Sequence, residues 1–274
     1  MNDHEFRQLL DRLSLSWQGY AKVRKSVKKR ICRHMQKCGY QTMEDYLRAL
    51  DNPEILTEVE YLLCVSISHF FRDQYLWKIL EEEILPDIIR RYHERINVWS
   101  AGCAMGQEVY SFAILWDTLK NRFDRLPRLL IHATDRNPGY LEKAGEGAYR
   151  SSSLKGVSGE IRERYLRVSG DGSNYLFADY LKKDITWQLH DLMKQPPLAG
   201  MFQIIFLRNN LLTYYREESR IPVFLKIVDS LDDGGFLIIG CHEKLPFQSR
   251  MLSRCKKCTC IFQKTHNTIP RLLE

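Results

Sequence analysis

The sequence predicts an α/β fold: a Rossmann-like sheet with a small antiparallel β insertion, preceded by an all-α N-terminal domain. Up to residue 90 the apolar residues recur at helical spacing, from residue 96 short apolar runs alternate with helical stretches, and between residues 160 and 186 the alternation breaks. Strands that alternate with helices indicate a parallel sheet, because crossover helices must cover both of its faces. We therefore assign residues 1–90 to a helical domain with a linker helix and residues 91–274 to the α/β domain.

Helical spacing predicts helices over residues 3–14, 20–38, 43–51 and 53–66, and a segment over 74–92 that Pro86 breaks. The second helix is densely basic, with an apolar stripe that includes Val27 and Ile31. Its charge is typical either of a solvated face on a packed helix or of a docking surface for an acidic protein. We expect no nucleic-acid partner, because no aromatic side chains interleave with the basic ones.

Apolar runs predict the strands of the sheet: "INVWSA" at 96–101, "RLLIHATD" at 128–135, "QIIFLRNN" at 203–210 and "FLIIGC" at 236–241. Helical stretches at 106–121, 138–146 and 217–231 lie between them. Residues 159–187 contain short β-prone runs, with Asp171 and Gly172 in a turn, and predict the antiparallel insertion. The insertion is either a hairpin without a binding role or a strand edge to which an extended peptide binds.

Composition is typical of an ordinary globular protein, with 274 residues, 44% hydrophobic and 27% charged. No apolar run approaches the roughly 20 residues that span a bilayer. The stretch "MNDHEFRQLL" has no apolar segment, so we expect no signal peptide. Eight scattered cysteines do not form a secreted disulfide scaffold, so we expect reduced thiols. The expectation is a cytoplasmic monomer without membrane insertion.

Small residues follow the first predicted strand, in "SAGCAMGQE" at 100–108. Such a turn lets the backbone approach a ligand, and the helix that follows presents its free amides there. The spacing of Gly102 and Gly106 differs from the G-x-G-x-x-G of dinucleotide sites. Asp135 ends the second strand, where an acid accepts hydrogen bonds from ribose, although it could instead cap the next helix. The two features together predict a nucleoside-containing ligand.

The motifs "SISHFFRD" (66–73), "WSAGCAMGQEVYS" (99–111), "ATDRNPGYLEKAGEGAY" (133–149), "FQIIFLRNNLLTYY" (202–215) and "GGFLIIGCHE" (234–243) occur in this order. The chain thereby resembles the CheR-type protein-glutamate methyltransferases along nearly its whole length. The resemblance implies a class I methyltransferase domain that transfers a methyl group from S-adenosylmethionine to receptor glutamates in chemotaxis, with S-adenosylhomocysteine as the product. The implied partner is a receptor or signalling protein with an acidic helical methylation region.

The resemblance also implies the residues that bind the cofactor. They are Ser66, Ser68, Arg72, Gly102, Glu108, Asp135, Asp191, Leu192, Arg208 and Asn209. In this interpretation Glu108 faces the cofactor's ammonium group, Arg72 its carboxylate or the reacting glutamate, and Asp135 its ribose. The alternative for Arg72 is a surface ion pair with Asp73 or with a nearby acid.

Arg72 and Tyr214 are the predicted catalytic residues. A glutamate with a pKa near 4.3 is already a carboxylate at neutral pH, so it needs orientation and not a general base. A guanidinium fork and a phenol are suitable donors for this purpose. The stretch "RNNLLTYY" is one residue longer than the family pattern, so Thr213 stands at the expected offset and Tyr215 is a possible substitute. The family's Asn and Thr are here Ser66 and Ser68, its G-E-E-P is "GQEV", and its Asn is Asp191.

We expect no metal site. Cys255 and Cys258 have a spacing that could ligate zinc, but a second spaced pair is not evident, and His242 and His266 are only loose candidates. Two rival functions stay open: methylation of a small carboxylic acid or another acceptor, and a non-catalytic module that binds S-adenosylmethionine and signals through the basic helix. An exposed edge on the insertion would favour a peptide substrate, and closure over the pocket a small one.

Overall fold

The computed structural model describes residues 1–265, so His266 lies outside the described part of the chain. The N-terminal helices are α1 (Asp3–Arg12), α2 (Trp17–Tyr20), α3 (Arg24–Lys37), α4 (Met43–Ala49) and α5 (Pro53–Leu63). Polar side chains cap several of them: Asn2 forms a capping box with Glu5, and the Thr42 and Asn52 side chains accept from backbone amides of α4 and α5. Their apolar stripes pack into one core that includes Phe6, Ile31 and Tyr46.

The linker helix is continuous, so the predicted break at Pro86 is wrong. The helix runs through α6 (Gln74–Ile79), a π-helical turn at Leu80–Ile84 and α7 (Leu85–Arg91). Pro86 lies in the first turn of α7, directly after the π-helical turn. Proline is accommodated there because the π-helical turn already interrupts the regular hydrogen-bond pattern that its missing N–H group would otherwise break.

The remaining elements alternate between strands and helices. In chain order they are β1 (Arg95–Ala101), α8 (Gln107–Thr118), β2 (Arg128–Asp135), α9 (Pro138–Glu146), β3 (Ala148–Tyr149), α10 (Gly159–Tyr165), β4 (Leu166–Val168), β5 (Tyr175–Phe177), α11 (Asp179–Lys182), β6 (Ile185–Leu189), β7 (Phe202–Leu207), α12 (Leu211–Tyr214), α13 (Glu217–Asp229), β8 (Leu231–Ile239), β9 (Leu252–Arg254) and β10 (Ile261–Lys264). This confirms the predicted α/β class.

A seven-stranded sheet, in the order β6-β2-β1-β7-β8-β10-β9, forms the centre of the molecule. β6, β2, β1, β7 and β8 run parallel, whereas β10 is antiparallel to β8 and to β9. Every residue of β7 is buried, as expected for a strand covered on both faces. The carboxyl ends of the parallel strands meet at one edge, which is where open α/β sheets bind ligands.

The second sheet is small and antiparallel, in the order β3-β5-β4. The strands of this small sheet correct the predicted insertion over residues 159–187, because the last β-prone run of that insertion does not belong to the small sheet. That run is β6, which pairs with β2 in parallel register from Ile131 opposite Ile185 to Asp135 opposite Leu189. β3, which precedes the predicted insertion, completes the small sheet instead, because Tyr149 pairs with Tyr175.

No helix within residues 1–265 is both long enough and apolar enough to cross a membrane.

Candidate active site

A cavity of about 360 Å³ lies at the carboxyl edge of the parallel strands. That volume is within the range of small-molecule sites. Its walls include every residue predicted to bind the cofactor, and also Tyr214 and Tyr215. The opposite wall comes from the N-terminal helices and includes Tyr20 and Glu60. The structure therefore gathers the predicted residues from distant segments into one place.

The turn after β1 has the conformation that its small residues predict. Gly102 and Gly106 have φ angles of +92° and +84°, which favour glycine. The amides of Gly102 and Cys103 both donate to the Thr134 carbonyl, at 2.8 Å. A Cβ atom on Gly102 would lie 2.0 Å from the Asn210 side-chain nitrogen. A side chain at Gly102 is therefore excluded both by space and by backbone conformation.

Asp135 fastens this turn to the end of β2. One carboxylate oxygen accepts from the amide of Ala104 and the other from the amide of Asn137, each at 2.9 Å. The alternative role as helix cap is wrong, because the side chain of Asn137 caps α9 by accepting from Tyr140. Burial raises the pKa of Asp135. A carboxylate oxygen has more than one acceptor site, so Asp135 can hold the turn and still accept from a ligand hydroxyl.

Arg208 lies at the base of the cavity between two carboxylates. Its side chain is 4% exposed and pairs with Asp73 at 2.5 Å and with Glu108 at 3.0 Å. Burial alone would lower the pKa of Arg208, but the Glu108 and Asp73 carboxylates outweigh burial and raise it. The other oxygen of Glu108 accepts from the Ser100 hydroxyl at 2.9 Å. Glu108 is therefore held rigidly in the wall and partly neutralised by Arg208.

The alternative interpretation of Arg72, an ion pair with Asp73, is wrong because Asp73 pairs with Arg208. A guanidinium nitrogen of Arg72 donates to the Ile67 carbonyl at 2.8 Å. Within residues 1–265 Arg72 forms no ion pair, and its side chain lines the cavity. Its charge is thus available to an anionic ligand.

The three hydroxyl groups near the end of α12 differ in their partners. The Thr213 hydroxyl donates to Glu243 at 2.5 Å, and the Tyr215 hydroxyl accepts from Arg136 at 2.8 Å. In the described part of the chain the Tyr214 hydroxyl has no hydrogen-bond partner, although the residue lines the cavity. Burial raises the pKa of Tyr214, and the positive charge of Arg72 opposes this effect. At neutral pH the phenol keeps its proton, so its O–H group can donate a hydrogen bond.

The cavity wall also contains a polar atom suited to a ligand. Among the described residues the Ser66 hydroxyl is buried and has no hydrogen-bond partner. Unsatisfied buried polar groups are rare and call for an explanation, and a polar cofactor in the cavity would supply the missing bond. Asp191 follows β6, and its carboxylate accepts from the Met193 amide at 2.9 Å. The adjacent Leu192 is half-buried in the same wall. These groups offer both polar and apolar contacts to a bound ligand.

Two residues at the site were missed by sequence reasoning. Arg136 pairs with Glu60 of α5 at 2.9 Å and so joins the N-terminal helices to the end of β2. Glu243, in the loop after β8, accepts from the amides of Asn209 and Gly240 at 2.9 and 2.7 Å. Glu243 lies within the motif at 234–243, and Arg136 follows Asp135 directly. The sequence position of either residue does not indicate which residue it bonds to.

The segment that carries Tyr214 is also fastened to the N-terminal helices. The Ser16 amide donates to the Tyr214 carbonyl at 2.8 Å, and the Arg216 amide donates to the Ser14 carbonyl at 3.0 Å. Gly19 packs so closely that a Cβ atom there would lie 2.1 Å from the Thr213 carbonyl oxygen. The ring of Tyr20 lies 5.0 Å from that of Tyr214. The N-terminal helices thereby help to position this wall.

Comparison with known proteins agrees with this geometry. Residues 66–261 match the CheR methyltransferase, SAM binding domain. A chemotaxis protein methyltransferase of Listeria monocytogenes is 30% identical over 222 residues, which cover 80% of this chain and 81% of that protein. One of Vibrio parahaemolyticus is 31% identical over 224 residues, 80% of each chain. The resemblance read from the motifs is confirmed: the chain belongs to the CheR methyltransferase family, and S-adenosylmethionine is its cofactor.

Proposed function

We propose that the protein methylates glutamate side chains of a protein target, a receptor or signalling protein with an acidic helical region. The observation that carries this proposal is the pair of donors, Arg72 and Tyr214, in the wall of the cofactor cavity. The relatives bear the name chemotaxis protein methyltransferase, which also favours a protein acceptor.

All eight cysteines are free thiols, as is typical of a reducing compartment such as the cytoplasm.

S-Adenosylmethionine supplies the methyl group as an electrophile when bound. The acceptor carboxylate would form the new C–O bond as the C–S bond breaks, and the electron pair of the C–S bond would stay on sulfur. No proton moves in this step, so the acceptor carboxylate needs no general base. Arg72 would present two donors to the carboxylate and Tyr214 one directed O–H, and such positioning is worth several kcal/mol.

The small sheet supports a protein acceptor over a small one. None of the residues from β3 to β5 lines the cavity, so the small sheet does not close over the cofactor site. β4 is an edge strand, and its Val168 is 59% exposed. An exposed edge can pair with an extended segment of another protein.

The basic helix α3 supports an acidic partner. Lys28 pairs with Asp3 at 2.9 Å, which removes one of its charges from the free surface. Lys25, Lys29 and Arg33 are exposed and form no ion pair within residues 1–265. Unpaired charges of one sign attract a partner of opposite charge.

The test is incubation of labelled S-adenosylmethionine with lysate of the source organism, with and without the enzyme, followed by mild alkali. Carboxyl methyl esters hydrolyse in alkali and release volatile methanol, whereas methylated amines keep their label. We expect alkali-labile label on a protein, and much less of it with Arg72→Ala. Alkali-stable label would exclude glutamate methylation, and label on a small molecule would favour the small-acceptor rival. Tight cofactor binding without any transfer would favour the non-catalytic rival.

A further inference from the structure

Three potential metal ligands meet between α3 and α5, and none of them is a cysteine that the sequence singled out. The Nε2 atom of His34 lies 2.7 Å from a carboxylate oxygen of Glu58 and 3.6 Å from the sulfur of Cys38. The three donor atoms lie within 4.8 Å of one another. In the described part of the chain this is the one group of three or more His, Cys, Asp or Glu donors so close together.

The fold brings these donors to one point for simple reasons. His34 and Cys38 are four residues apart on α3 and at its C-terminal cap, so both side chains project from one face. Glu58 comes from α5, which packs against that face. The other histidine nitrogen, Nδ1, lies 2.7 Å from the hydroxyl of Tyr46, a fully buried residue. A partner on the second nitrogen fixes the tautomer and ring orientation of a metal-bound histidine.

Two of the distances between these donors can be compared with those of a tetrahedral zinc site. With Zn–S near 2.3 Å and Zn–N and Zn–O near 2.0 Å, tetrahedral angles place sulfur about 3.5 Å from nitrogen and oxygen about 3.3 Å from nitrogen. The observed 3.6 Å between Cys38 and His34 matches the first value. The 2.7 Å between His34 and Glu58 must lengthen by about 0.6 Å. Glu58 can make this shift, because its side chain is 57% exposed.

We propose that His34, Cys38 and Glu58 bind one Zn²⁺ ion, with a water molecule as the fourth ligand. A mixed set of imidazole, thiolate and carboxylate suits zinc better than magnesium or calcium, which prefer oxygen. A hydrogen bond accounts for the pair of His34 and Glu58, and the Cys38 sulfur adds a third ligand atom beside the same nitrogen. The ion would fasten the end of α3 to α5.

The C-terminal cysteines, by contrast, are arranged as packed thiols. The sulfur of Cys260 lies 3.2 Å from that of Cys258 and 3.4 Å from that of Cys241. Cys258 and Cys260 are buried in the core, at 6% and 2% exposure. Cys255, which is half-buried and close to them in sequence, provides a control for the proposed site. The proposal departs from the expectation that the protein has no metal site, which considered only the cysteines at 255–260 with His242 and His266.

The experiment uses full-length protein stripped of metal, titrated with Zn²⁺ in competition with a chromophoric chelator. We expect one tightly bound equivalent, and at least about ten-fold weaker binding for Cys38→Ser and for Glu58→Gln. Both residues are exposed, so these variants should fold. Cys255→Ser is the control and should bind as the unaltered protein does.

Substitution with Co²⁺ gives a second readout, because a thiolate ligand produces a charge-transfer band. That band should be present in the unaltered protein and in Cys255→Ser, and lost in Cys38→Ser. Equal Zn²⁺ binding by the unaltered protein and Cys38→Ser would overturn the proposal. A loss of binding in Cys255→Ser, with Cys38→Ser unaffected, would place the metal elsewhere.

Discussion

Replacing Tyr214 with phenylalanine should slow methyl transfer while leaving the fold and the cofactor affinity intact. In the described chain the hydroxyl has no hydrogen-bond partner to lose, and phenylalanine keeps the ring contact with Tyr20, whose centroid lies 5.0 Å away. A hydrogen bond to a charged group is worth about 1.5–3 kcal/mol, and about 1.4 kcal/mol is a factor of ten in rate. If that bond strengthens in the transition state, kcat should fall about 10- to 100-fold.

The assay measures kcat and KM for the methylated protein at saturating S-adenosylmethionine, with calorimetry of S-adenosylhomocysteine binding and thermal unfolding alongside. Tyr215→Phe is the matched control. It removes the acceptor of a 2.8 Å bond from Arg136, so it should cost about 1–3 kcal/mol of stability and reduce kcat less. An unchanged kcat for Tyr214→Phe would refute the reasoning. If Tyr215→Phe alone lost turnover with stability unaltered, the catalytic tyrosine would be Tyr215.

The remaining predictions concern the cofactor turn and the basic helix. Asp135→Asn should weaken S-adenosylhomocysteine binding about ten-fold or more, since an amide cannot accept at both of its ends. Burial raises the pKa of Asp135, so acidification should protonate it at a higher pH than an ordinary aspartate. The affinity of the unaltered protein for S-adenosylhomocysteine should therefore begin to fall at that higher pH. Asp135→Asn should lack this pH dependence. Gly102→Ala should destabilise the protein by about 1–3 kcal/mol in denaturant titration, because φ is +92° and the new Cβ meets Asn210; full stability would contradict the turn geometry. Joint reversal of Lys25 and Lys29 to Glu should slow methylation of the protein target but not cofactor binding, and the effect should fade as salt screens exposed charges beyond about 8 Å. A loss that salt does not change would indicate misfolding.

Much of the fold and of the cavity could be predicted because the relevant signals are local. The alternation of apolar runs with amphipathic stretches predicted β1, β2, β7 and β8, and parallel strands necessarily bring their carboxyl ends to one edge. The motifs then identified the residues at that edge, and the cavity contains all of them. Ile185–Leu189 was misplaced because a short β-prone run shows its strand character but not its neighbour in the sheet.

Other features could not be predicted because they depend on partners far apart in the chain. Asp73 has a φ angle of +62° and turns towards Arg208, not towards its sequence neighbour Arg72. No local sequence pattern indicates that Asp73 pairs with Arg208. Likewise, the meeting of His34 with Glu58 depends on how α3 packs against α5. Long-range pairs of this kind decide which charges in the site are neutralised and which stay available.

The close packing of Gly19 against the Thr213 carbonyl limits how such chains can be recombined. Residues 14–20 and 211–216 form one unit that is assembled from two distant parts of the chain. A chimera that joins the N-terminal helices of one relative to the sheet of another would separate these halves and misplace the tyrosine. Exchange of target specificity between such enzymes should therefore succeed only when both stretches are transferred together.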